Sequence, residues 1–154
     1  SVPRRLLTIR TADCYPVFFR ERRSGRFGVV HAGWRGLRDG IVRNALERWF
    51  SRPVDLLLGS AIGVDHYPVG DDVRSALSKA FDTPEPDLRK AGVFLEENLN
   101  PPRAIQFQAE HAEGTVSTYR RLPASTSEAL PPMLSYRADG TEDRMVSWIT
   151  RCDP

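Results

Sequence analysis

Short apolar runs separated by polar turns dominate the first part of the chain. Four of them combine aromatic, β-branched or aliphatic residues and end at polar, glycine or proline positions: residues 6–9, 15–19, 27–31 and 54–58. Runs of this length and composition are typical of buried strands. Between the second and the third run, the polar segment 21–26 contains Ser24-Gly25, which favours a hairpin turn. The pattern therefore predicts a hairpin over residues 15–31.

Longer segments with a period near four residues predict helices. Residues 33–37 lead into a helix on which Ile41, Ala45 and Trp49 share an apolar face. A second helix follows residues 71–72. A third begins at Asn100-Pro101, where proline suits the first helical turn, and extends to about residue 113.

The remaining segments predict shorter elements. Residues 83–87 are rich in proline and are expected to be exposed, whereas residues 92–95 and 116–121 are strand-like. Residues 134–137 and 145–150 are predicted to be two closing strands around Asp139-Gly140. Because strands alternate with helices, we expect a single α/β (α+β) domain over residues 1–154, with mixed β-sheets layered with helices.

Composition narrows the functional classes. The 154 residues carry a net charge of only +2, which gives no electrostatic case for binding nucleic acid. Two cysteines make no disulfide framework, so a reducing, cytoplasmic location is expected. No apolar run approaches the length of a membrane span. The chain begins with Ser1 rather than Met and becomes strand-like almost at once, so we expect its N-terminus to be a cut rather than a natural start.

Cys14 and His31 are the candidates for catalytic chemistry. They stand at the ends of the two predicted hairpin strands, so the hairpin is expected to place them side by side, with Cβ atoms about 4.5–5.5 Å apart. Thiolate and imidazole are ligands that zinc prefers, and a catalytic zinc generally has three protein ligands with one open position. The alternative is a buried free cysteine and a histidine that merely ends a strand.

Residues 32–36 form the best candidate for an anion site. Gly33 and Gly36 would let the backbone approach a phosphate at the start of a helix, and Arg35 can bind two of its oxygens. A structural turn around Trp34 would explain the same residues. The loop over residues 61–67 is a second candidate, in which His66 is either a ligand or proton carrier of a site wall or a surface residue.

The other reactive side chains favour structural interpretations. His111 lies late in the third predicted helix, on a face with Gln108 that we expect to be solvated. Cys152 lies in a polar tail and is expected to be inert. Residues 135–137 and Arg144 are interpreted as a structural set of ion pairs and hydrogen bonds.

Four motifs, in order and at suitable spacing, together resemble a known family. They are Thr11-Ala12-Asp13-Cys14-x-Pro16-Val17, His31-Ala32-Gly33-Trp34-Arg35-Gly36-Leu37 with Gly40-Ile41-Val42, Ala61-Ile62-Gly63 with Tyr67-x-Val69-Gly70, and Ser135-Tyr136-Arg137-x-Asp139-Gly140 with Arg144-Met145. The chain resembles the laccase-domain family, also called multicopper polyphenol oxidases, over nearly its whole length. The resemblance implies a fold similar to that of certain toxin deamidases.

The resemblance also implies an activity and a ligand set. The family's better-supported activity is that of a zinc-dependent purine nucleoside phosphorylase with adenosine deaminase activity, so a purine nucleoside and phosphate are the implied partners. Cys14 and His31 match two of the family's zinc ligands. The third, a histidine, belongs to an upstream motif that no residue here matches. Either that segment is missing from this chain, or His66 replaces the ligand.

Further roles follow from the resemblance. Gly33, Arg35 and Gly36 would hold the phosphate, and Asp13, beside Cys14, would orient the site or carry a proton. Where the family often has Pro-Cys-Cys after Ala-Ile-Gly, this chain has Val64-Asp65-His66.

Three alternative functions stay open. Copper would make the protein a polyphenol oxidase, although three histidines are few for several copper ions. A metal-free cysteine hydrolase would use Cys14 as nucleophile and His31 as base. If the third ligand is truly absent, a non-enzymatic binding domain remains. The sequence leaves the preferred nucleoside and the oligomeric state open.

Overall fold

The computed structural model describes residues 5–50, 53–112, 116–122, 126, 133–140 and 142–150. The strands are β1 (Leu6–Thr11), β2 (Tyr15–Glu21), β3 (Phe27–Ala32), β4 (Val54–Leu58), β5 (Phe94–Leu95), β6 (Asn98–Leu99), β7 (Val116–Arg121) and β8 (Met145–Thr150). The helices are α1 (Trp34–Arg38), α2 (Ile41–Trp49), α3 (Asp71–Ala80), α4 (Glu85–Lys90), α5 (Pro101–Glu110) and α6 (Tyr136–Asp139), with a 3₁₀ turn at Val64–His66. None of the described helices is long and apolar enough to cross a membrane.

The main sheet has four strands in the order β3-β2-β4-β7. β2 pairs antiparallel with both β3 and β4, whereas β4 and β7 run parallel. The hairpin of β2 and β3 confirms the predicted one, and its turn contains Gly25 at φ 67°. One face of the sheet, which includes Val17, Phe19 and Leu58, is fully buried in the core beside α2 and α5. This is the mixed sheet layered with helices that the pattern predicts.

The predicted closing strand over residues 145–150 is confirmed as β8, whereas the one over residues 134–137 is wrong. Tyr136–Asp139 is a short helix, because the Ser135 hydroxyl accepts a hydrogen bond from Ala138 N at 3.2 Å and Gly140 ends the turn at φ 69°. β8 instead pairs antiparallel with β1, from Leu6 opposite Thr150 to Thr11 opposite Met145. Both strands of this ribbon lie next to β3.

The predicted apolar face over Ile41, Ala45 and Trp49 is confirmed at Ala45, which is buried, and at Ile41, which packs against the core, but it is wrong at Trp49. The chain forms two helices, since Gly40 adopts a positive φ of 71° between α1 and α2, a conformation that glycine enters at little cost. The buried residues of α2 are Val42, Ala45 and Leu46. Trp49 is 58% exposed.

The proline-rich segment over residues 83–87 contains the start of α4. Pro84 precedes this helix and Pro86 lies in its first turn, where a missing N–H leaves no helical hydrogen bond unmade. Leu88 anchors the helix in the core, being fully buried. The prolines therefore mark a helix start, and both are exposed as expected. α5 begins as predicted, with the Asn100 side chain accepting from Arg103 N at 3.3 Å.

Gln108 on α5 joins three helices. Its side chain is 4% exposed. Its amide donates to the Leu37 carbonyl of α1, and its oxygen accepts from Val42 N at 3.1 Å and Arg43 N at 3.4 Å at the start of α2. The expectation that Gln108 shares a solvated face with His111 is wrong, because α1 and α2 cover it. One amide thus satisfies backbone groups on both sides of the helix break.

Replacing Gln108 by Ala should lower the free energy of unfolding by about 1–3 kcal/mol, because buried backbone groups of α1 and α2 would lose their partner. Urea unfolding of the variant measures this loss. Gln106→Ala is the matched control on the same helix, since the Gln106 amide donates to Glu110 at the exposed surface. The control should change stability by no more than about 0.5 kcal/mol. Equal losses in both variants would contradict the shared-cap role of Gln108.

Candidate active site around Cys14 and His31

The hairpin brings Cys14 and His31 together, although not directly opposite one another. His31 pairs with Pro16 and Ala32 with Tyr15, so the same register sets Cys14 opposite Gly33. Cys14 and His31 are therefore diagonal neighbours, a relation in which Cα atoms lie about 7–8 Å apart. The expectation that they face each other directly is wrong by two residues of register, because His31 pairs with Pro16 rather than with Cys14.

Two glycines make room for this pair. A Cβ atom at Gly33 would lie 2.7 Å from Cys14 Sγ, and one at Gly36 would lie 3.1 Å from the His31 carbonyl oxygen. The thiol thus lies directly over the backbone of Gly33. The spacing of these glycines, which predicts an anion site, is explained by packing around Cys14 and His31. Arg35 is exposed, and its guanidinium lies 4.6 Å from the centre of the Trp34 ring.

Asp13 ties this corner to the C-terminal part of the chain. Its side chain is 9% exposed and accepts three hydrogen bonds, from Thr126 Oγ1 at 3.1 Å, Ser135 Oγ at 2.6 Å and Arg137 N at 2.8 Å. Its carbonyl accepts from Ile62 N at 2.9 Å. Every polar atom of this residue that can accept is thus engaged in holding neighbouring segments beside Cys14.

Residues 135–137 belong to the site, although their side-chain types alone do not predict this. Ser135 is 1% exposed, which fits the structural role expected for it, yet it holds Arg137 beside the cysteine. Between residues 13 and 137, a sequence separation of 124 hides the contact from any local pattern. The signal that could have found it is the last motif of the family resemblance, in which Ser135 and Arg137 both appear.

Tyr67 and Arg137 form the wall next to Cys14. The Tyr67 side chain is 6% exposed, and the Arg137 guanidinium lies over its ring, 4.4 Å from the centre. Burial, followed by the charge of Cys14, raises the pKa of the Tyr67 hydroxyl, whereas Arg137 and a hydrogen bond with the Trp34 backbone act in the opposite direction. The hydroxyl therefore stays protonated close to the thiol.

Burial shifts both reactive groups toward their neutral forms. It raises the pKa of Cys14, with a further rise from Asp13, against the opposing charges of Arg137 and Arg144. It lowers the pKa of His31, and Arg144 lowers it further. Neutral imidazole is the form that binds a metal, whereas the thiol loses its proton on binding. A cysteine hydrolase needs a thiolate beside a cationic partner, a state that these surroundings oppose.

One sulfur and one imidazole nitrogen are ligand types that zinc prefers, but two ligands do not complete a zinc site. Among the residues that the structure describes, no group of three or more His, Cys, Asp or Glu is placed to hold a metal ion. His66, the predicted replacement ligand, ends an exposed 3₁₀ turn. His111 lies at the end of α5, stacked on Phe107 with ring centres 4.1 Å apart. Cys152 lies outside the described residues.

A cavity of about 500 Å³ lies elsewhere, on the face of the main sheet turned away from the helices. Phe18, Leu57, Arg120 and Trp148 are among its lining residues. Neither Cys14 nor His31 is among its lining residues. The candidate active site is thus defined by its side-chain chemistry, and not by this cavity.

Comparison with known proteins identifies the same family as the four sequence motifs. A family described as multi-copper polyphenol oxidoreductase laccase matches residues 1–152. A Haemophilus influenzae protein named purine nucleoside phosphorylase is 32% identical over 97% of this chain and 62% of its own length. The chain spans about three-fifths of the length of the curated relatives it matches.

Solved structures show the same fold. The Neisseria meningitidis protein NMB0706 is similar to this chain with a TM-score of 0.73 and 29% identity, over 97% of this chain and 61% of that protein. The Bacillus licheniformis hypothetical protein YfiH gives a TM-score of 0.76 and 27% identity, over 93% of this chain and 56% of that protein. The predicted fold class and the resemblance are both confirmed. The chain belongs to the laccase-domain family.

Proposed function

We propose that this chain carries the catalytic pair of a purine nucleoside phosphorylase at Cys14 and His31. In this reaction phosphate displaces the purine from the ribose, so the glycosidic C–N bond breaks, a C–O bond to phosphate forms and the base leaves with a proton. The observation that carries the proposal is the placement of the Cys14 thiol over Gly33, two residues beyond His31. The name of the Haemophilus relative supports the substrate class.

Zinc is the metal that we propose for this pair, with copper as the alternative. Cys14 and His31 would hold the ion, and His66 or a histidine that this sequence does not contain would complete the set. Bound zinc supplies a Lewis acid and an activated water. Adenosine deamination, which the family resemblance implies for the same site, would replace the amino group of the purine by oxygen from water and release ammonia.

The chain's own residues have separate tasks in this proposal. Asp13 orients the segment that carries Arg137, through the hydrogen bonds described above. Arg35, with the turn from Gly33 to Gly36, remains our candidate for holding phosphate, since an exposed guanidinium can bind two of its oxygens. His66 would line the nucleoside site.

A polyphenol oxidase is the second candidate, because the description of the family itself names that activity. Copper would use the same thiol and imidazole. Oxidase chemistry with several copper ions needs more histidines than the three of this chain, and that count favours the nucleoside enzyme.

His31→Ala and Cys14→Ala should each lower phosphate-dependent adenosine or inosine cleavage by more than about 100-fold and reduce the bound zinc. Loss of a ligand should exceed the roughly 10- to 100-fold cost of losing a group that only supports one. Chromatography of the released base and elemental analysis measure the two effects. His111→Ala is the matched control and should keep both, because His111 lies at the end of α5.

The products separate the competing functions. Free purine formed only with phosphate indicates phosphorolysis, inosine from adenosine indicates deamination, and oxidation of a phenol without purine release indicates the oxidase. Wild-type turnover and zinc content in both variants would contradict the role given to Cys14 and His31.

Gly33→Ala should displace the Cys14 thiol, because the added methyl group would lie 2.7 Å from Sγ. We expect nucleoside cleavage to fall at least 10-fold, with about 1–3 kcal/mol lost in stability, as is usual for overpacking. Gly28→Ala in β3, the strand that ends just before Gly33, is the control, since its methyl group would meet the Phe50 ring at 3.1 Å instead. Equal activity in the two variants would show that the thiol's position does not matter.

Asp13→Asn should lower the free energy of unfolding by about 1–3 kcal/mol, since one of its donors would face an amide N–H₂ instead of an acceptor. Thermal and urea unfolding measure the change. Asp65→Asn, at an exposed residue of the 3₁₀ turn, should change stability by no more than about 0.5 kcal/mol. Full stability with abolished turnover would instead favour Asp13 as a proton carrier.

A further inference from the structure

We infer that Arg137 binds the phosphate co-substrate, because Asp13 fixes its backbone next to Cys14 and its guanidinium lies on the Tyr67 ring. The inference rests on the proposed phosphorylase function, in which Arg35 is so far the one arginine assigned to phosphate. From the sequence, residues 135–137 are interpreted as structural.

The backbone of Arg137 is fixed next to the cysteine. Its N–H donates to Asp13 Oδ2 at 2.8 Å, while Ser135 donates to Oδ1 at 2.6 Å. Asp13 directly precedes Cys14 in the chain. Two hydrogen bonds to one buried carboxylate thus fix the position of the Arg137 backbone relative to the thiol, although Arg137 belongs to a four-residue helix.

The side chain of Arg137 is held by an apolar surface and one carbonyl. Its guanidinium lies 4.4 Å from the centre of the buried Tyr67 ring, and Nη1 donates to the Pro68 carbonyl at 3.4 Å. A guanidinium has five N–H donors in a planar fork. Stacking on a ring and one hydrogen bond leave an edge of that fork for a ligand, on a side chain that remains exposed.

The charge of Arg137 has no carboxylate partner in the described part of the chain. The salt bridges there pair other arginines with acids, among them Arg22 with Asp55 and Arg103 with Glu110. The Asp13 carboxylate receives the backbone N–H of Arg137 rather than its guanidinium. A fixed, unneutralised guanidinium beside a reactive pair favours an oxyanion, and a phosphate dianion accepts two parallel hydrogen bonds from such a fork.

The contrast with Arg35 strengthens the assignment. Arg35 also lies over an aromatic ring, that of Trp34, but the ring is on the next residue of the same short helix. Arg137 comes from a distant part of the sequence and is tied to the residue beside Cys14. The guanidinium of Arg137 lies over the Tyr67 ring while its backbone is bound to Asp13, which places its charge near the proposed reaction centre.

The test measures phosphate directly as well as through turnover. Binding of inorganic phosphate to the purified chain is titrated by calorimetry, and KM for phosphate and for nucleoside are measured separately. Arg137→Gln should weaken phosphate binding and raise KM for phosphate by about 10- to 100-fold, the usual effect of losing charge-assisted hydrogen bonds, with KM for nucleoside nearly unchanged. Arg137→Lys should recover part of the loss. Arg43→Gln, at an exposed residue of α2, is the control.

The outcomes test the phosphate-binding role of Arg137 separately from the proposed function. Phosphate binding that is lost in Arg137→Gln supports the inference even if no nucleoside is cleaved, in which case the proposed function fails alone. Wild-type phosphate binding and KM in Arg137→Gln overturn the inference and leave the proposed function standing. A wild-type chain that binds no phosphate overturns it too, as does a rise in KM for both substrates together.

Discussion

The carboxylate of Asp13 is the interaction on which the candidate site depends. Its hydrogen bonds join the start of β2 to Thr126, Ser135 and Arg137, and its backbone carbonyl holds Ile62. A buried carboxylate is costly unless donors satisfy it, so the surrounding segments cannot move away without leaving a charge unpaired. This constraint explains how loops from three parts of the chain stay beside one cysteine.

A second constraint acts on α1, the helix that follows the hairpin. α1 follows β3 directly and is only five residues long, too short to be stable alone. Gln108 and the packing of Leu37 hold it against α5, while Gly33 and Gly36 let it approach Cys14 and the His31 carbonyl closely. The helix that borders the site is thus positioned by tertiary contacts, and a defect in the core at Gln108 is expected to reach the site through α1.

Local patterns could predict the strands and the hairpin because each of those elements has its own apolar signature. They could not predict the helix break at Gly40, since a positive φ leaves the apolar spacing of the neighbouring residues intact. They also failed for residues 134–137, where four residues are too few to separate a strand from a capped turn. In the site, the predicted hairpin is enough to bring Cys14 and His31 together. The positions of Tyr67 and Arg137 could not be predicted, because they depend on contacts between distant segments that no periodicity encodes.

The bond between Asp13 and Arg137 has a consequence for folding. It closes a loop of 124 residues, and the entropy of such a closure must be offset by contacts formed earlier, because long loops are slow and unfavourable to close on their own. The β2–β3 hairpin that presents Cys14 and His31 needs only local contacts. The thiol and imidazole are therefore expected to be in place before Arg137 binds Asp13, so that a partly folded chain exposes Cys14, which the native protein partly buries.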